Sequence, residues 1–495
     1  MNLPRKSGVL LHPTSLPGPD GIGDLGPECY HWIDFLHASG CTLWQILPLG
    51  PTGFGNSPYQ CFSAFAGNPY LISPALLLDQ NLLDRNDLLD RPEFPEDHVD
   101  FGPVIEWKIT VLDRAFKKFL KSRSKKLSAA YSEFCQSQAK WLNDFALFMA
   151  IKEVQGGGSW DGWPVELRNR ELNALNSFSE KHNLLIEKHK FRQFIFFSQW
   201  KQVKDYAARN GIQIIGDIPI FIAYDSADAW TNPELFYIGK NSKPTRVAGV
   251  PPDYFSPTGQ LWGNPLYKWN AHKKQKYKWW IERFKAVLST VDIVRLDHFR
   301  GFAGYWEIPA NMPTAEIGRW VKGPGKHFLS ALEKAFNGLP IIAEDLGLIT
   351  PDVVELRDSF NLPGMKILQF AFASTPEDPF LPHNYPKNCV AYTGTHDNDT
   401  TVGWFESGTE QEKDYCRRYL SVSGENIAWD LIREIWKSTA AFAITTLQDL
   451  LSLGTEARMN FPGKPEGNWS WRFKPEDLTS DLLDRIKELN YLYFR

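Results

Sequence analysis

Three acidic residues follow short, largely apolar segments that are typical of buried β-strands. Asp297 comes directly after segment 291–296, Glu344 comes directly after segment 339–343, and Asp397 lies just beyond a third such segment. Burying a carboxylate is costly, so a buried strand that ends in one indicates a use for it. In a parallel (β/α) barrel all strand C-termini open onto one face, where catalytic groups collect. We therefore expect these three carboxylates to meet at one mouth.

Apolar, β-branched segments alternate along the chain with segments of helical periodicity, which predicts parallel βαβ units. Eight such strand-like segments predict a closed (β/α)8 TIM barrel of the α/β class, with large insertions after strands two and three. A helix is predicted over 29–39, with Gly40 as its stop. The predicted strands are 8–11, 41–47, 212–216, 291–296, 339–343, 365–370, 389–392 and 441–446.

The distance between predicted strands two and three is far too long for a simple loop. Much of this stretch has apolar residues at helical spacing, which predicts an inserted helical subdomain that leads back into strand three through a further helix. A second stretch, after strand three, is poor in helix signals and rich in Pro, Gly, Asp, Tyr and Trp, which predicts a loop-rich wall of a substrate groove. The predicted division is barrel at 1–78, helical insertion at 79–190, barrel at 191–218, groove insertion at 219–278 and barrel at 279–495.

Composition and charge exclude several classes of partner. The chain has 495 residues, is 43% hydrophobic and carries a formal charge of −4, without a long basic stretch. Binding to nucleic acid or to an anionic membrane is therefore not expected. No apolar run is long enough to span a bilayer, and the N-terminal segment lacks the apolar core of a signal peptide. The six cysteines form no CxxC pair, so we expect reduced thiols in a cytoplasmic protein and no zinc site.

The strand that ends at Asp297 also carries Arg295. Residues two apart on a strand point to the same side, and a guanidinium beside a carboxylate favours its ionised form. An ionised Asp is what a nucleophile requires, although a structural ion pair explains this motif alone equally well. Asp217 repeats the pattern at the end of the third predicted strand and is ambiguous in the same way.

The other two strand ends offer complementary groups. Glu344 precedes Asp345, and two adjacent acids point to different sides, so one can serve the mouth and the other a structural contact. Apolar surroundings and nearby negative charge raise the pKa of a Glu, which suits a general acid. His396 stands beside Asp397, and this pair suits hydrogen bonds to sugar hydroxyls. Together, the three strand ends indicate cleavage of a glycosidic bond.

The motifs Arg295-Leu296-Asp297, Glu344-Asp345 and His396-Asp397 resemble the strand-end motifs of the α-amylase clan. Longer segments are more specific, and they resemble those of amylomaltases, the disproportionating 4-α-glucanotransferases of glycoside hydrolase family 77. The resemblance extends over residues 12–472. The segments that carry it are 11–17 (LHPTSLP), 57–60 (SPYQ), 216–220 (GDIPI), 249–256 (GVPPDYFS), 259–265 (GQLWGNP) and 467–472 (GNWSWR).

This resemblance implies roles for individual residues. Asp297 would be the nucleophile, Glu344 the general acid and base, and Asp397 the third carboxylate, which grips the 2- and 3-hydroxyls of the sugar under attack. Tyr254 and Phe255 would belong to a flexible loop over the groove. The further substrate-binding residues implied are Arg295, His396, Asp217, Tyr59, Ser57, Trp262 and Asn264.

The family resemblance implies transfer of α-1,4-glucan segments from a maltodextrin donor to the 4-hydroxyl of a glucose or maltodextrin acceptor. The reaction would be a retaining double displacement through a covalent intermediate, without metal or organic cofactor. The expected partners are maltooligosaccharides and glucans derived from starch or glycogen, and the expected assembly is a monomer or weak dimer. A retaining α-glucan hydrolase of the same clan is the main alternative. A catalytically silent glycan-binding barrel would lack a carboxylate, and a phosphate-binding barrel would need a richer glycine loop than the one at Gly454.

Overall fold

A computed structural model describes residues 4–122, 124–252, 256–464 and 466–495 of the chain. Eight parallel strands close a barrel, so the predicted (β/α)8 architecture is confirmed. The strands are β1 (Lys6–Leu10), β2 (Leu43–Gln45), β3 (Gln213–Ile218), β4 (Arg246–Val250), β5 (Gln260–Pro265), β6 (Ile293–Leu296), β7 (Gly304–Pro309), β8 (Arg319–Lys322), β9 (Ile341–Ala343), β10 (Gly364–Ile367), β11 (Cys389–Tyr392) and β12 (Phe442–Thr446). Around the barrel the order is β1, β2, β3, β6, β9, β10, β11 and β12.

The helices surround this barrel and fill the segments between its strands. Helix α1 ends at Ser39, and Gly40 follows with φ 81°, so the predicted helix and its glycine stop are confirmed. The helices are α1 (Pro27–Ser39), α2 (Pro74–Asp79), α3 (Phe101–Lys121), α4 (Lys125–Ser137), α5 (Ala139–Val154), α6 (Val165–Arg168), α7 (Leu172–Lys181), α8 (Asn183–Arg209), α9 (Ala227–Thr231), α10 (Trp269–Lys274), α11 (Lys278–Thr290), α12 (Arg300–Ala303), α13 (Gly325–Phe336), α14 (Pro351–Ser359), α15 (Thr401–Ser407), α16 (Glu410–Leu420), α17 (Ile427–Lys437), α18 (Leu447–Leu450) and α19 (Ser480–Tyr493).

Helices α2 to α8 occupy most of the chain between β2 and β3. Helix α8 packs against α5 and leads into β3, which matches the helix expected before the third strand. The treatment of 79–190 as a separate subdomain stays a prediction. In the part of the chain that the structure describes, none of these helices is both long and apolar enough to cross a bilayer.

The groove insertion contains more regular structure than its sequence indicated. Strands β4 and β5 pair with each other, and β4 also pairs with β7, which in turn pairs with β8. The result is a four-stranded antiparallel sheet in which a hairpin from 219–278 joins a hairpin from the chain after β6. The predicted loop residues Tyr254 and Phe255 fall between β4 and β5 but lie outside the described residues.

The sixth barrel strand is shorter than predicted. Strand β10 ends at Ile367, and the residues Leu368–Ala373 form a 3-10 helix instead of continuing the strand to 370. The register explains this end, because Ile367 pairs with Tyr392, the last residue of β11. Beyond that pair the paired ladder ends, although the N–H of Gln369 still donates to the carbonyl of Thr393 at 3.3 Å.

The barrel interior is a distinct apolar cluster, separate from the core between strands and helices. Its members alternate with residues that face outward, as the two-residue period of a strand requires. On β3 and β6 the inward residues are Ile215 and Ile293, whereas Ile214 and Val294 pack against the helices. Ile342 faces inward on β9. This alternation fixes which strand-end side chains reach the mouth.

Candidate active site

On each barrel strand, every second residue faces the barrel interior, and the acidic residues at the strand ends belong to this inward-facing set. Two residues beyond Ile215 lies Asp217, and two residues beyond Ile293 lies Arg295. Asp297 follows in the same phase. Glu344 stands two residues beyond the inward Ile342, so the period of two places all four groups on the barrel axis side of their strands.

Arg295 joins two of these carboxylates. Its Nη1 lies 2.6 Å from Oδ2 of Asp217 and 3.0 Å from Oδ1 of Asp297. Tyr59 donates its hydroxyl to the same Oδ2 of Asp217, at 2.7 Å. Arg295 and Asp217 are buried, and the side chain of Asp297 is 25% exposed. A buried, charge-assisted cluster thus holds Asp297 in place while one side of it remains open.

The electrostatics of Asp297 are a balance of opposing causes. Burial raises the pKa of Asp297, and the neighbouring charge of Asp397 raises it further, whereas Arg295 lowers it. The lowering by Arg295 matches the expectation from sequence, but burial outweighs it, so the pKa lies above its usual value in the free enzyme. Arg295 stays charged throughout, because the two carboxylates raise its own pKa despite burial.

Glu344 is held by two backbone donors. The N–H of His298 donates to Oε2 at 2.6 Å, and the N–H of Leu346 donates to Oε1 at 3.0 Å. His298 adopts the left-handed conformation, with φ 48°. Burial raises the pKa of Glu344 to about 8, and the negative charge of Asp297 adds to this rise while Arg295 opposes it. The pKa therefore moves in the direction expected for a general acid.

Asp345 points the other way, as the alternation of adjacent residues predicts. Its Oδ2 lies 2.5 Å from Nη1 of Arg357, and its Oδ1 accepts the N–H of Met365 at 2.8 Å. These contacts tie the end of β9 to α14 and β10. Of the two adjacent acids, Glu344 faces the mouth and Asp345 makes the structural contact.

Asp397 and His396 form the far side of the mouth. His396 Nε2 lies 3.3 Å from Oδ2 of Asp397, whose side chain is 47% exposed. Burial lowers the pKa of His396, so the imidazole is neutral near pH 7. Asn460 donates to Oδ1 of Asp397 at 2.6 Å, and Arg458 donates to its backbone carbonyl at 2.7 Å. The carboxylate is thus fixed from the protein side and open toward the groove.

Aromatic rings also stand beside these acidic residues. Tyr59 stacks on His396 with centroids 5.2 Å apart, and Trp469 lies 5.9 Å from both rings. Trp262 stands with its ring 4.9 Å from that of His298, edge to face. These rings give the mouth flat apolar walls beside its carboxylates, a combination suited to a sugar.

Two of the remaining predicted residues have their polar atoms directed to the protein. The hydroxyl of Ser57 accepts the backbone N–H of Tyr59 at 3.2 Å, so it supports the turn that carries Tyr59. Asn264 is buried and donates to the carbonyl of Ile222 at 2.8 Å. Direct contact of Ser57 or Asn264 with substrate stays a prediction.

Sequence analysis missed Asn460, Arg458 and Trp469 as site residues. They come from the long chain after α18, which follows the last barrel strand and carries no strand-end signal. The only indication was the family-like segment 467–472, which contains Trp469. Among the residues that the structure describes, no group of three or more His, Cys, Asp or Glu side chains is placed to hold a metal ion.

Comparison with known proteins agrees with this geometry. Residues 11–479 match the family described as 4-alpha-glucanotransferase. The chain is 49% identical to the 4-alpha-glucanotransferase of Thermus thermophilus over 99% of both chains. It is 50% identical to that of Synechocystis, with 99% of this chain and 98% of the other covered. The amylomaltase of Streptococcus agalactiae, solved in complex with acarbose, is 42% identical and superposes with a TM-score of 0.96 over 99% of both chains.

Proposed function

The chain belongs to the 4-alpha-glucanotransferase family, glycoside hydrolase family 77. We propose that Asp297, Glu344 and Asp397 together break and re-form the α-1,4-glucosidic bond of the glucan substrate. The protein is a 4-alpha-glucanotransferase with a retaining mechanism, and its relatives do not favour the hydrolase alternative.

Asp297 is the nucleophile in this proposal. One carboxylate oxygen attacks the anomeric carbon of the donor as the bond from that carbon to the leaving 4-oxygen breaks. Arg295 supports this role because it binds Oδ1 at 3.0 Å and stabilises the ionised form. Arg295 opposes the rise that burial causes in the pKa of Asp297, and so favours the carboxylate form that attacks.

Glu344 is the general acid and then the general base. With a pKa raised to about 8 it carries a proton near pH 7, and this proton passes to the leaving 4-oxygen in the first step. In the second step the ionised Glu344 takes the proton of the acceptor hydroxyl, which attacks the anomeric carbon and releases Asp297. The hydrogen bonds from His298 and Leu346 hold the carboxyl group in one orientation for both steps.

Asp397 and His396 bind the sugar rather than react with it. Asp397 accepts hydrogen bonds from the 2- and 3-hydroxyls, and the neutral His396 adds a further donor. Hydrogen bonds of this kind strengthen as the sugar ring flattens toward the oxocarbenium-like transition state. Asn460 fixes Asp397 at 2.6 Å, which prepares the carboxylate before the substrate arrives.

Donors and acceptors in this proposal are maltooligosaccharides, including those released from starch or glycogen. A sugar 4-hydroxyl outcompetes water when the acceptor occupies the groove before the intermediate hydrolyses. We place the enzyme in a reducing, cytoplasmic compartment, because all six cysteines are free thiols and four of them are buried.

The observation that carries the proposal is the contact of Arg295 with both Asp217 and Asp297 at a mouth that also holds Glu344 with a raised pKa. The test is product analysis on maltotriose by mass spectrometry, together with an assay of reducing ends. Transfer predicts glucose and longer maltodextrins with little net increase in reducing ends. A rise in reducing ends that matches substrate loss would establish the hydrolase alternative.

The adjacent acids provide a matched control. Asp297→Asn, Glu344→Gln and Asp397→Asn should each lower transfer by several orders of magnitude while each variant still folds. Asp345→Asn should instead lower the stability by about 1–3 kcal/mol, because it weakens the bonds to Arg357 and Met365, and should retain most of the activity. Full activity in any of the first three variants would remove that residue from the mechanism.

A further inference from the structure

The loop that carries His396 and Asp397 joins β11 to α15 through residues 393–400, and we call it the β11–α15 loop. None of these residues, all of which the structure describes, belongs to a strand or a helix, so side-chain contacts set the shape of the loop. The carboxylate of Asp397 is 47% exposed. Its position therefore depends on what holds the loop to the barrel.

A single buried carboxylate, that of Asp449, contacts both ends of this loop. The hydroxyl of Thr393, the first loop residue, donates to Oδ2 of Asp449 at 2.5 Å. The backbone N–H of Thr401, the first residue of α15, donates to Oδ1 of Asp449 at 2.7 Å. This N–H is one of the donors that the start of a helix leaves without a partner inside the helix. One side chain therefore bridges the place where the loop leaves β11 and the place where it enters α15.

Asp449 is itself fixed to the barrel. It lies on α18, which follows β12, and it is 1% exposed. Its backbone N–H donates to the hydroxyl of Thr446, the last residue of β12, at 3.2 Å. Strand β12 pairs with β11, so Asp449 reaches the loop from the end of the neighbouring strand. Burying a carboxylate is costly unless donors surround it, and two such donors come from the ends of the loop.

Further contacts brace the middle of the β11–α15 loop. Nε2 of Gln369 donates to the carbonyl of Asp399 at 3.0 Å. A Cβ on Gly394 would lie 2.8 Å from the same nitrogen, so the loop packs closely on Gln369. Within the loop, the N–H and the hydroxyl of Thr395 both donate to Oδ1 of Asn398, each at 2.9 Å. Because the loop is braced in this way, a shift of its ends also shifts the carboxylate that it carries.

We propose that Asp449 is a positioning residue for the transfer reaction, because it fixes both ends of the loop that carries Asp397. This inference rests on the proposed function, in which Asp397 binds the 2- and 3-hydroxyls of the sugar. A misplacement of about 1 Å in an active group can lower the rate about 10²-fold. Without the bridge the two ends of the loop lose their common anchor, so Asp397 no longer stands ready for the sugar and the reaction slows.

The bridge requires hydrogen-bond geometry, and an amide can reproduce it. In Asp449→Asn the amide oxygen can accept the N–H of Thr401 while the amide nitrogen donates to the hydroxyl of Thr393. That hydroxyl can then turn its proton to the hydroxyl of Thr445, which lies 3.1 Å away. Asp449→Asn should therefore retain most of the activity, whereas Asp449→Ala loses both bonds and should lower kcat/KM for maltotriose about 10²-fold.

The other end of the bridge offers a second matched pair. Thr393→Ser keeps the hydroxyl, and Thr393→Val keeps the shape of the side chain without it. The Ser variant should retain most of the activity, and the Val variant should lose more. Equal losses in Asp449→Asn and Asp449→Ala, or in Thr393→Ser and Thr393→Val, would contradict the proposal.

Hydrogen exchange measured by mass spectrometry tests the bridge without reference to activity. The backbone amides of 395–400 should exchange faster in Asp449→Ala than in the native enzyme, and at a near-native rate in Asp449→Asn. Asn490→Ala is the matched control for lost stability, because Asn490 is buried and bonded to Ser7 at 2.6 Å near the start of β1, away from the mouth. It should leave the exchange of 395–400 and the value of kcat/KM near native. Unchanged exchange in Asp449→Ala would overturn the bridge.

A double-mutant cycle tests whether the effect of Asp449 passes through Asp397. In the Asp397→Asn background the contact with the sugar is already impaired, so adding Asp449→Ala should lower kcat/KM by much less than it does in the native background. A loss of the same factor in both backgrounds would show general damage and overturn the proposal. Full activity of Asp397→Asn alone would count against the proposed function, and faster exchange of 395–400 in Asp449→Ala would still establish the bridge.

Discussion

Nη1 of Arg295 lies 3.0 Å from Oδ1 of Asp297, and the same nitrogen lies 2.6 Å from Oδ2 of Asp217. One buried cation therefore serves two carboxylates, of which Asp217 is buried and Asp297 is partly exposed. Its position at the end of β6 follows from the strand period, since Ile293, Arg295 and Asp297 share one face. This relationship makes the charge of Arg295 the main cause that lowers the pKa of Asp297.

Replacing Arg295 tests that electrostatic role. In Arg295→Gln, the pKa of Asp297 should rise, because burial continues to raise it and the opposing cation is gone. The acid limb of kcat/KM for maltotriose should therefore move to higher pH, and the maximal value should fall about 10²–10³-fold. Arg295→Lys keeps the charge without the planar fork and should recover part of the loss. An acid limb at its native position in Arg295→Gln would separate Arg295 from the ionisation of Asp297.

The raised pKa of Glu344 predicts a stability change with pH. A carboxyl whose pKa is raised by folding binds its proton more tightly in the folded state, so its favourable contribution is present below its unfolded pKa near 4.5. That contribution is lost as the pH rises toward about 8, the folded value. Glu344→Gln removes this titrating group and so does not lose stability in the same way. The melting temperature of the variant minus that of the native enzyme should therefore become more positive as the pH rises between these two values.

Calorimetric melting of both proteins at several pH values between 4.5 and 9 measures this difference. Asp345→Asn is a comparison variant, because burial also raises the pKa of Asp345 while its bonds to Met365 and Arg357 oppose the rise. This variant should be less stable than the native enzyme at neutral pH. A melting difference for Glu344→Gln that stays flat with pH would mean that folding does not raise the pKa of this group.

Asn460 should act as a positioning residue through Asp397. Its Nδ2 lies 2.6 Å from Oδ1, so Asn460→Ala leaves the carboxylate free to rotate away from the sugar hydroxyls. We expect kcat/KM to fall about 10–100-fold with the fold intact, as for removal of a supporting contact to an active group. Asn460→Gln retains an amide donor and should recover activity in part, as measured on maltotriose.

A donor that lacks the 2-hydroxyl discriminates between positioning and general damage. If Asn460 acts through the hydrogen bond of Asp397 to that hydroxyl, Asn460→Ala should lower kcat/KM less with the 2-deoxy donor than with the normal donor. Equal losses for both donors would assign Asn460 a purely structural role.

The sequence predicted the barrel and its acidic mouth because both follow from local patterns. Period-two alternation on β3, β6 and β9 sets which side chains face inward, and the carboxyl ends of parallel strands must meet. The contacts of Asp345 away from the mouth follow from the same rule. For these residues, position along a strand was enough to predict position in the fold.

Pairing between strands that are far apart along the chain could not be predicted from the sequence. The hairpin of β7 and β8 completes a sheet with β4 and β5, although β6 separates the two hairpins along the chain. Asn460 reaches Asp397 from a segment without regular structure, so no periodicity marked it. The early end of β10 depends on where its neighbour β11 stops, which the sequence of β10 does not contain.

In the proposed mechanism, Asp297 forms the covalent glycosyl intermediate while Glu344 supplies and removes protons. An α-maltotriosyl fluoride donor separates these roles, because fluoride leaves without protonation. Glu344→Gln should therefore react with this donor and accumulate the intermediate, since its second step lacks a base for the acceptor.

Mass spectrometry of protease digests of Glu344→Gln, quenched after reaction with this fluoride, is the most direct measurement. We expect the peptide that contains Asp297 to carry the mass of one maltotriosyl group, and we expect no such mass when Glu344→Gln is combined with Asp297→Asn. A label on a different residue, or no label while fluoride is released, would contradict this mechanism.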